Sequence, residues 1–171
     1  FNSLATIIPQ EKCFPIYRKM QNPFWEEKIR KIRSRYGNQA LEADDVMKHI
    51  LRNPNDGNSV YMFVADQTPH ISMVNFGIWF LNQKTPVFVG YDRLSGRMNV
   101  TFVYCEMEKI KRGHYRVTYH EITPNNQKFE PYEVVKKFHQ NLEKTINKNP
   151  DNWLWSHRKW KYKDAIKHFD E

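Results

Sequence analysis

Short apolar runs of strand character alternate along this chain with amphipathic stretches of helical period, and that alternation confines it to a layered α/β domain. Cys13-Phe14-Pro15-Ile16-Tyr17 reads as a first strand. Asn22-Pro23 then has the form of a helix start, with Asn22 capping and Pro23 at the first helical position. Trp25, Ile29, Ile32 and Tyr36 recur at helical spacing, which predicts a buried face, and Gly37-Asn38 ends the helix. A second helix is expected over Glu42–Leu51, closed by the turn-rich Asn53–Gly57. Val60–Ala65 is a continuous apolar run, as in a strand buried on both faces, and it delivers Asp66-Gln67 to its C-terminal end.

Residues 68–83 read as irregular, with a helix from Thr85-Pro86 to about Arg97. Asn99–Met107 and His114–Ile122 predict a hairpin whose tip carries Lys109, Lys111 and Arg112. Pro131 opens a long helix with Tyr132, Val135, Phe138, Leu142 and Ile146 on one side, and Pro150 ends it. A short helix with Trp153-Leu154-Trp155 and a basic tail over 150–171 follow. The expectation is one domain over residues 1–171, built on a mixed sheet with flanking helices.

Charge narrows the partners. Lys and Arg number 27 against 19 Asp and Glu, a net +8, so an anionic partner is expected: nucleic acid, an anionic membrane face, a phosphorylated lipid or an acidic carrier protein. With 6 glycines there is neither a GxGxxG nor a Walker-type loop to cradle a nucleotide. Cys13 and Cys105 stand in separate apolar segments without CxxC spacing, which predicts buried structural thiols rather than a zinc site. The longest apolar runs, Val60–Ala65 and Phe76–Leu81, are far too short to span a bilayer.

The most specific stretch runs from Asn149 to Lys161 and packs Trp153, Trp155 and Trp160 around His157, Arg158 and Lys159. It closely resembles the C-terminal signature of the lipid A biosynthesis (lauroyl/myristoyl) acyltransferase family. Further blocks resemble the same family in the same order. These are Tyr17-Arg18 with Asn22-Pro23, Arg33-Ser34-Arg35-Tyr36-Gly37, Val64-Ala65-Asp66-Gln67, Phe80–Gly90, and Lys111-Arg112-Gly113-His114-Tyr115.

The resemblance implies a glycerolipid-acyltransferase-like α/β fold and transfer of a fatty acyl group. The donor would be an acyl carrier protein thioester, and the acceptor a hydroxyl of a lipid A precursor. No bound cofactor or metal is implied, because a thioester is already activated. The implied partners are the carrier protein, the anionic lipid precursor and the cytoplasmic face of the inner membrane. Nucleic acid is not expected, although +8 interleaved with aromatics keeps a nucleic-acid-binding module as an alternative, beside an acyltransferase with a different lipid acceptor.

Arg18 and Asp66 are the expected supporting catalytic groups. Arg18 would hold a phosphate or stabilise developing negative charge, and Asp66 would orient a catalytic group or bind the acceptor hydroxyl. Gln67, Asn22, Arg33 and Arg35 are the expected substrate contacts. Lys28, Lys31, Arg33 and Arg35 would form a basic helix side facing the carrier protein or lipid phosphates. His157, Arg158, Lys159, Lys161 and Lys163 would rest on anionic headgroups, with the tryptophans at the interface.

The family's catalytic motif is His-x-x-x-x-Asp/Glu, its imidazole acting as general base. None of His49, His70, His114, His120, His139, His157 and His168 has an acidic residue five positions later. The expectation is therefore that this motif lies upstream of Phe1, that the chain is the C-terminal portion of an acyltransferase, and that it is inactive alone.

Overall fold

The computed structural model describes residues 12–53, 57–95, 100–122 and 130–170. The architecture is mixed α/β, with the strands among the described residues distributed over three small sheets. The chain divides into two compact units, Phe1–Val64 and Ala65–Glu171.

In the first unit, β1 (Cys13–Tyr17) runs parallel to both β2 (Leu41–Glu42) and β3 (Val60–Met62), in the order β2-β1-β3. The central strand carries the core: Cys13, Phe14 and Tyr17 are buried. Phe14 stacks on Tyr61 at 5.0 Å and meets the His49 ring at 4.6 Å.

Between β1 and β2 lies α1 (Pro23–Arg33). Its start follows the sequence closely, because the Asn22 Oδ1 accepts from the Phe24 and Trp25 amides at 3.0 and 3.3 Å. The helix stops three residues short of Tyr36, and Gly37 (φ 86°) donates its N–H to the Ser34 carbonyl in the turn that follows.

Three expectations fail in this unit. No residue of α1 is buried, and Trp25, Ile32 and Tyr36 are exposed rather than forming a covered face. Val60–Ala65 is not a strand buried on both faces: β3 ends at Met62, is half-buried, and Val64 is exposed. Among the described residues β3 lies at the edge of its sheet, which leaves it less covered than a central strand. The second helix is also shorter than predicted, α2 spanning Val46–Arg52, because Leu41–Glu42 is drawn into the sheet instead. Pro54–Asp56 of the predicted turn lie outside the described residues.

The second unit differs most from expectation. Residues read as irregular, and those read as the start of a helix, form a hairpin, β4 (Phe76–Phe80) and β5 (Gln83–Val87). The linking Leu81 and Asn82 both have positive φ (49° and 59°), the requirement of a tight type I′ turn. Thr85-Pro86 therefore sits in a strand and opens no helix. Pro86 is tolerated because β5 is an edge strand, where a missing N–H is harmless.

Of the helix predicted to run to Arg97, only the turn α3 (Asp92–Ser95) is seen, and residues 96–99 lie outside the described residues. β6 (Val103–Lys111) and β7 (His114–Glu121) form the predicted hairpin, turning at Gly113 with φ 78°. On β6, Tyr104 points inward, which turns its neighbour Cys105 outward. That thiol is exposed, not buried as expected.

α4 (Glu133–Lys148) buries Val134, Val135, His139, Leu142 and Ile146. Its first turn is closed from a distance. The buried Asp92 carboxylate accepts from the amides of Tyr132, Val134 and Val135 at 2.8, 3.1 and 3.4 Å.

The tryptophan segment forms short 3₁₀ turns at Pro150–Asn152 and Trp155–His157 rather than an α-helix. The tail then returns as β8 (His168–Asp170), parallel to β4, giving the order β5-β4-β8. An ion pair between Lys136 and Asp170 ties β8 to α4.

Candidate functional site

Asp66, Gln67 and Thr68 form a short loop that the tryptophan segment holds from residue to residue. The Thr68 amide donates to His157 Nε2 at 2.8 Å, so that imidazole carries its proton on Nδ1. The Thr68 hydroxyl lies 2.5 Å from the Lys159 carbonyl and 3.2 Å from that of Arg158. Lys159 Nζ donates to the Gln67 carbonyl at 3.1 Å. Trp160 Nε1 donates to the Thr85 hydroxyl at 2.7 Å, anchoring the segment to β5. Two sequence blocks some ninety residues apart thus close into one polar brace.

The electrostatics of the brace are those of a buried cation. Lys159 is 1% exposed, and burial pushes its ammonium down to about 8, opposed by the nearby Asp66 carboxylate. His139 stands beside it on α4. Burial foremost, and then the Lys159 charge, push His139 down to about 3, so the ring is neutral at ordinary pH. Its Nδ1 meets the Val135 carbonyl at 2.8 Å, while Nε2 is buried with no hydrogen-bond partner among the described residues. The Tyr104 hydroxyl, raised mainly by burial, is raised further by the Glu106 and Asp66 charges.

Three tryptophans wall this region. Trp153 packs edge-on to Phe80 at 6.1 Å, to Trp155 at 4.8 Å and to Trp160 at 6.2 Å. Lys159 therefore does not lie on the solvent side with Arg158, Lys161 and Lys163, contrary to its expected place among headgroup-facing cations. It is turned inward to the Gln67 carbonyl, and His157 is half-buried against Thr68.

The remaining candidates belong to the first unit. Arg18 follows β1 directly and is exposed, and among the described residues no side-chain hydrogen bond or ion pair engages it. Asn22 spends its Oδ1 on the helix cap, so as a substrate contact it retains only its amide nitrogen. Arg33 is drawn back over the Tyr17 ring, 4.9 Å from its centroid, with Nη1 buried and without a hydrogen-bond partner among the described residues. Arg35 lies exposed over Tyr36 at 5.6 Å. Arg33 and Arg35 are therefore not side by side on one basic face.

Among the described residues no group of histidine, cysteine and carboxylate side chains is arranged to hold a metal ion, and no helix is long and apolar enough to cross a membrane. Sequence reasoning missed His157, Thr68 and Lys159 as one unit. The available signal was the density of Trp, His and Lys in a segment too polar for a plain core helix.

No curated protein matches the chain. The family model of the bacterial lipid A biosynthesis acyltransferases matches residues 3–162, a span that contains both halves of the brace. The chain belongs to the bacterial lipid A biosynthesis acyltransferase family.

Proposed function

We propose that this protein takes part in transfer of a fatty acyl group from an acyl carrier protein thioester to a hydroxyl of a lipid A precursor, at the cytoplasmic face of the inner membrane. The observation that carries the reading is the brace. A carboxylate, Asp66, is fixed in a loop whose neighbouring residues are tied to His157 and Lys159, inside the region that matches the family.

A thioester needs no metal to be attacked by a hydroxyl. What the reaction needs is a positioned acceptor, a group to take its proton, and stabilisation of the negative charge that builds on the carbonyl oxygen. Asp66 serves the first need, orienting the acceptor hydroxyl or the imidazole that deprotonates it. Arg18, an exposed guanidinium at the end of β1, serves as an anion-binding group for phosphate or developing charge. Gln67 contributes through its side chain, because its carbonyl is already engaged by Lys159.

The test supplies the purified gene product with acyl carrier protein thioesters and, in parallel, a lipid A precursor and a glycerophospholipid precursor. Acylation of the lipid A precursor is expected. Acylation of the other acceptor alone would move the protein to a different lipid. No transfer to any lipid hydroxyl, together with steeply salt-dependent RNA binding, would replace the reading with the nucleic-acid alternative.

A further inference from the structure

Helix α1 is inverted in polarity. Its inward side is charged: Glu26 accepts from the Met20 amide at 2.8 Å and bonds the Tyr17 hydroxyl, and Arg33 lies over the Tyr17 ring. Its outward side is apolar: Phe24 is 58% exposed, Trp25 51% and Ile32 64%. At 3.6 residues per turn these three fall within an arc of about 100°. Cations are interleaved with them. Lys28 lies within the arc, its Nζ 4.8 Å from the Phe24 ring centre, and Lys31 and the exposed Arg35 border it.

Which occupant suits such a face follows from its charge. A second copy would oppose Lys28 and Arg35 to their own counterparts, and the carboxylate beside the arc, Glu27, is already paired with Lys31 at 2.6 Å. An uncharged protein groove would bury Lys28 unpaired. An anionic bilayer meets both demands at once. Aromatic and branched side chains enter the boundary between headgroups and acyl chains, while the ammonium and guanidinium groups stay among the phosphates.

We propose that the outer face of α1 docks in the plane of an anionic bilayer, with Phe24, Trp25 and Ile32 inserted and Lys28 and Arg35 at headgroup level. The choice of a bilayer rests on the lipid-acceptor reading above. The test is independent of turnover, so that vesicle binding can fail while acyl transfer to detergent-dispersed lipid succeeds, or the reverse.

The experiment measures co-sedimentation of the full chain with phosphatidylglycerol-containing vesicles and with phosphatidylcholine vesicles. Three variants are compared: W25E/I32E, W25S/I32S, and K111E/R112E at the β6–β7 turn. Binding to the anionic vesicles is expected, and both α1 variants should weaken it at least about tenfold. The turn variant, with a larger change of charge than W25E/I32E, should stay within about threefold of the parent. The serine pair keeps the test valid if the glutamate pair unfolds, which circular dichroism would show. Three results would overturn the proposal: unchanged binding in W25S/I32S, an equal loss in K111E/R112E, or a concentration-dependent dimer that the α1 variants abolish while vesicle binding persists.

Discussion

Burial lowers the proton affinity of the Lys159 ammonium, and this gives the brace a pH signature. Its native value is about 8 against an ordinary 10.5. Below pH 8 both native and unfolded chains hold the proton, and the cost of the buried charge is fully present. Between pH 8 and 10.5 the native chain releases a proton that the unfolded chain keeps, so stability rises with pH. The full effect is on the order of 3 kcal/mol. Denaturant midpoints measured from pH 7.5 to pH 10 should climb for the parent protein and stay flatter for Lys159→Met. Parallel curves would mean that the ammonium is not buried in solution.

His139 works in the opposite part of the scale. Its value of about 3 lies below the ordinary 6.5, so its contribution is fully present above pH 6.5 and is lost as pH falls toward 3. His139→Leu should therefore shift acid unfolding, followed by circular dichroism, to lower pH. Neither group was legible in the sequence. Lysine is ordinarily the residue that stays out, and nothing local says that Gln67 will supply a carbonyl to Lys159. Asn22 was legible, because a cap is a local event.

Local rules read some elements well and others poorly, for a physical reason. α1, α4, β1 and the β6–β7 hairpin announce themselves through caps, period and turn glycine. β4 and β5 were missed because their turn uses Leu81 in place of glycine, and because Pro86 suggested a helix start. β8 was missed because a basic tail carries no strand signal of its own; β4 and the Lys136 ion pair recruit it.

That recruitment makes a prediction. A Cβ on Gly77 would lie 2.6 Å from the Ile166 side chain, at the approach of the tail to β4. Gly77→Ala should cost about 1–3 kcal/mol in chemical denaturation. Asp92→Ala removes the acceptor of two α4 amides and that of Tyr132 just before it, and should cost about 2 kcal/mol by the same measurement. On α1, where nothing is buried, Ile32→Ser should change stability by less than about 0.5 kcal/mol.

For the whole molecule, the net charge of +8 predicts an anionic partner without saying where it would bind. The folded chain divides the basic groups by role. Lys159 is internal and structural, Arg33 is folded onto an aromatic ring, and Lys28 and Arg35 stand among exposed apolar side chains. Ordered blocks along the sequence carried the family, and only the fold reveals that two of them are one device.

The most direct test of that device is a double-mutant cycle on acyl transfer by the gene product, using Asp66→Asn, Lys159→Met and the pair together. If Lys159 acts by holding the Asp66 loop, the double variant should be little slower than Asp66→Asn alone, because each change disables the same part. Losses that multiply, as two independent groups would give, would contradict the account.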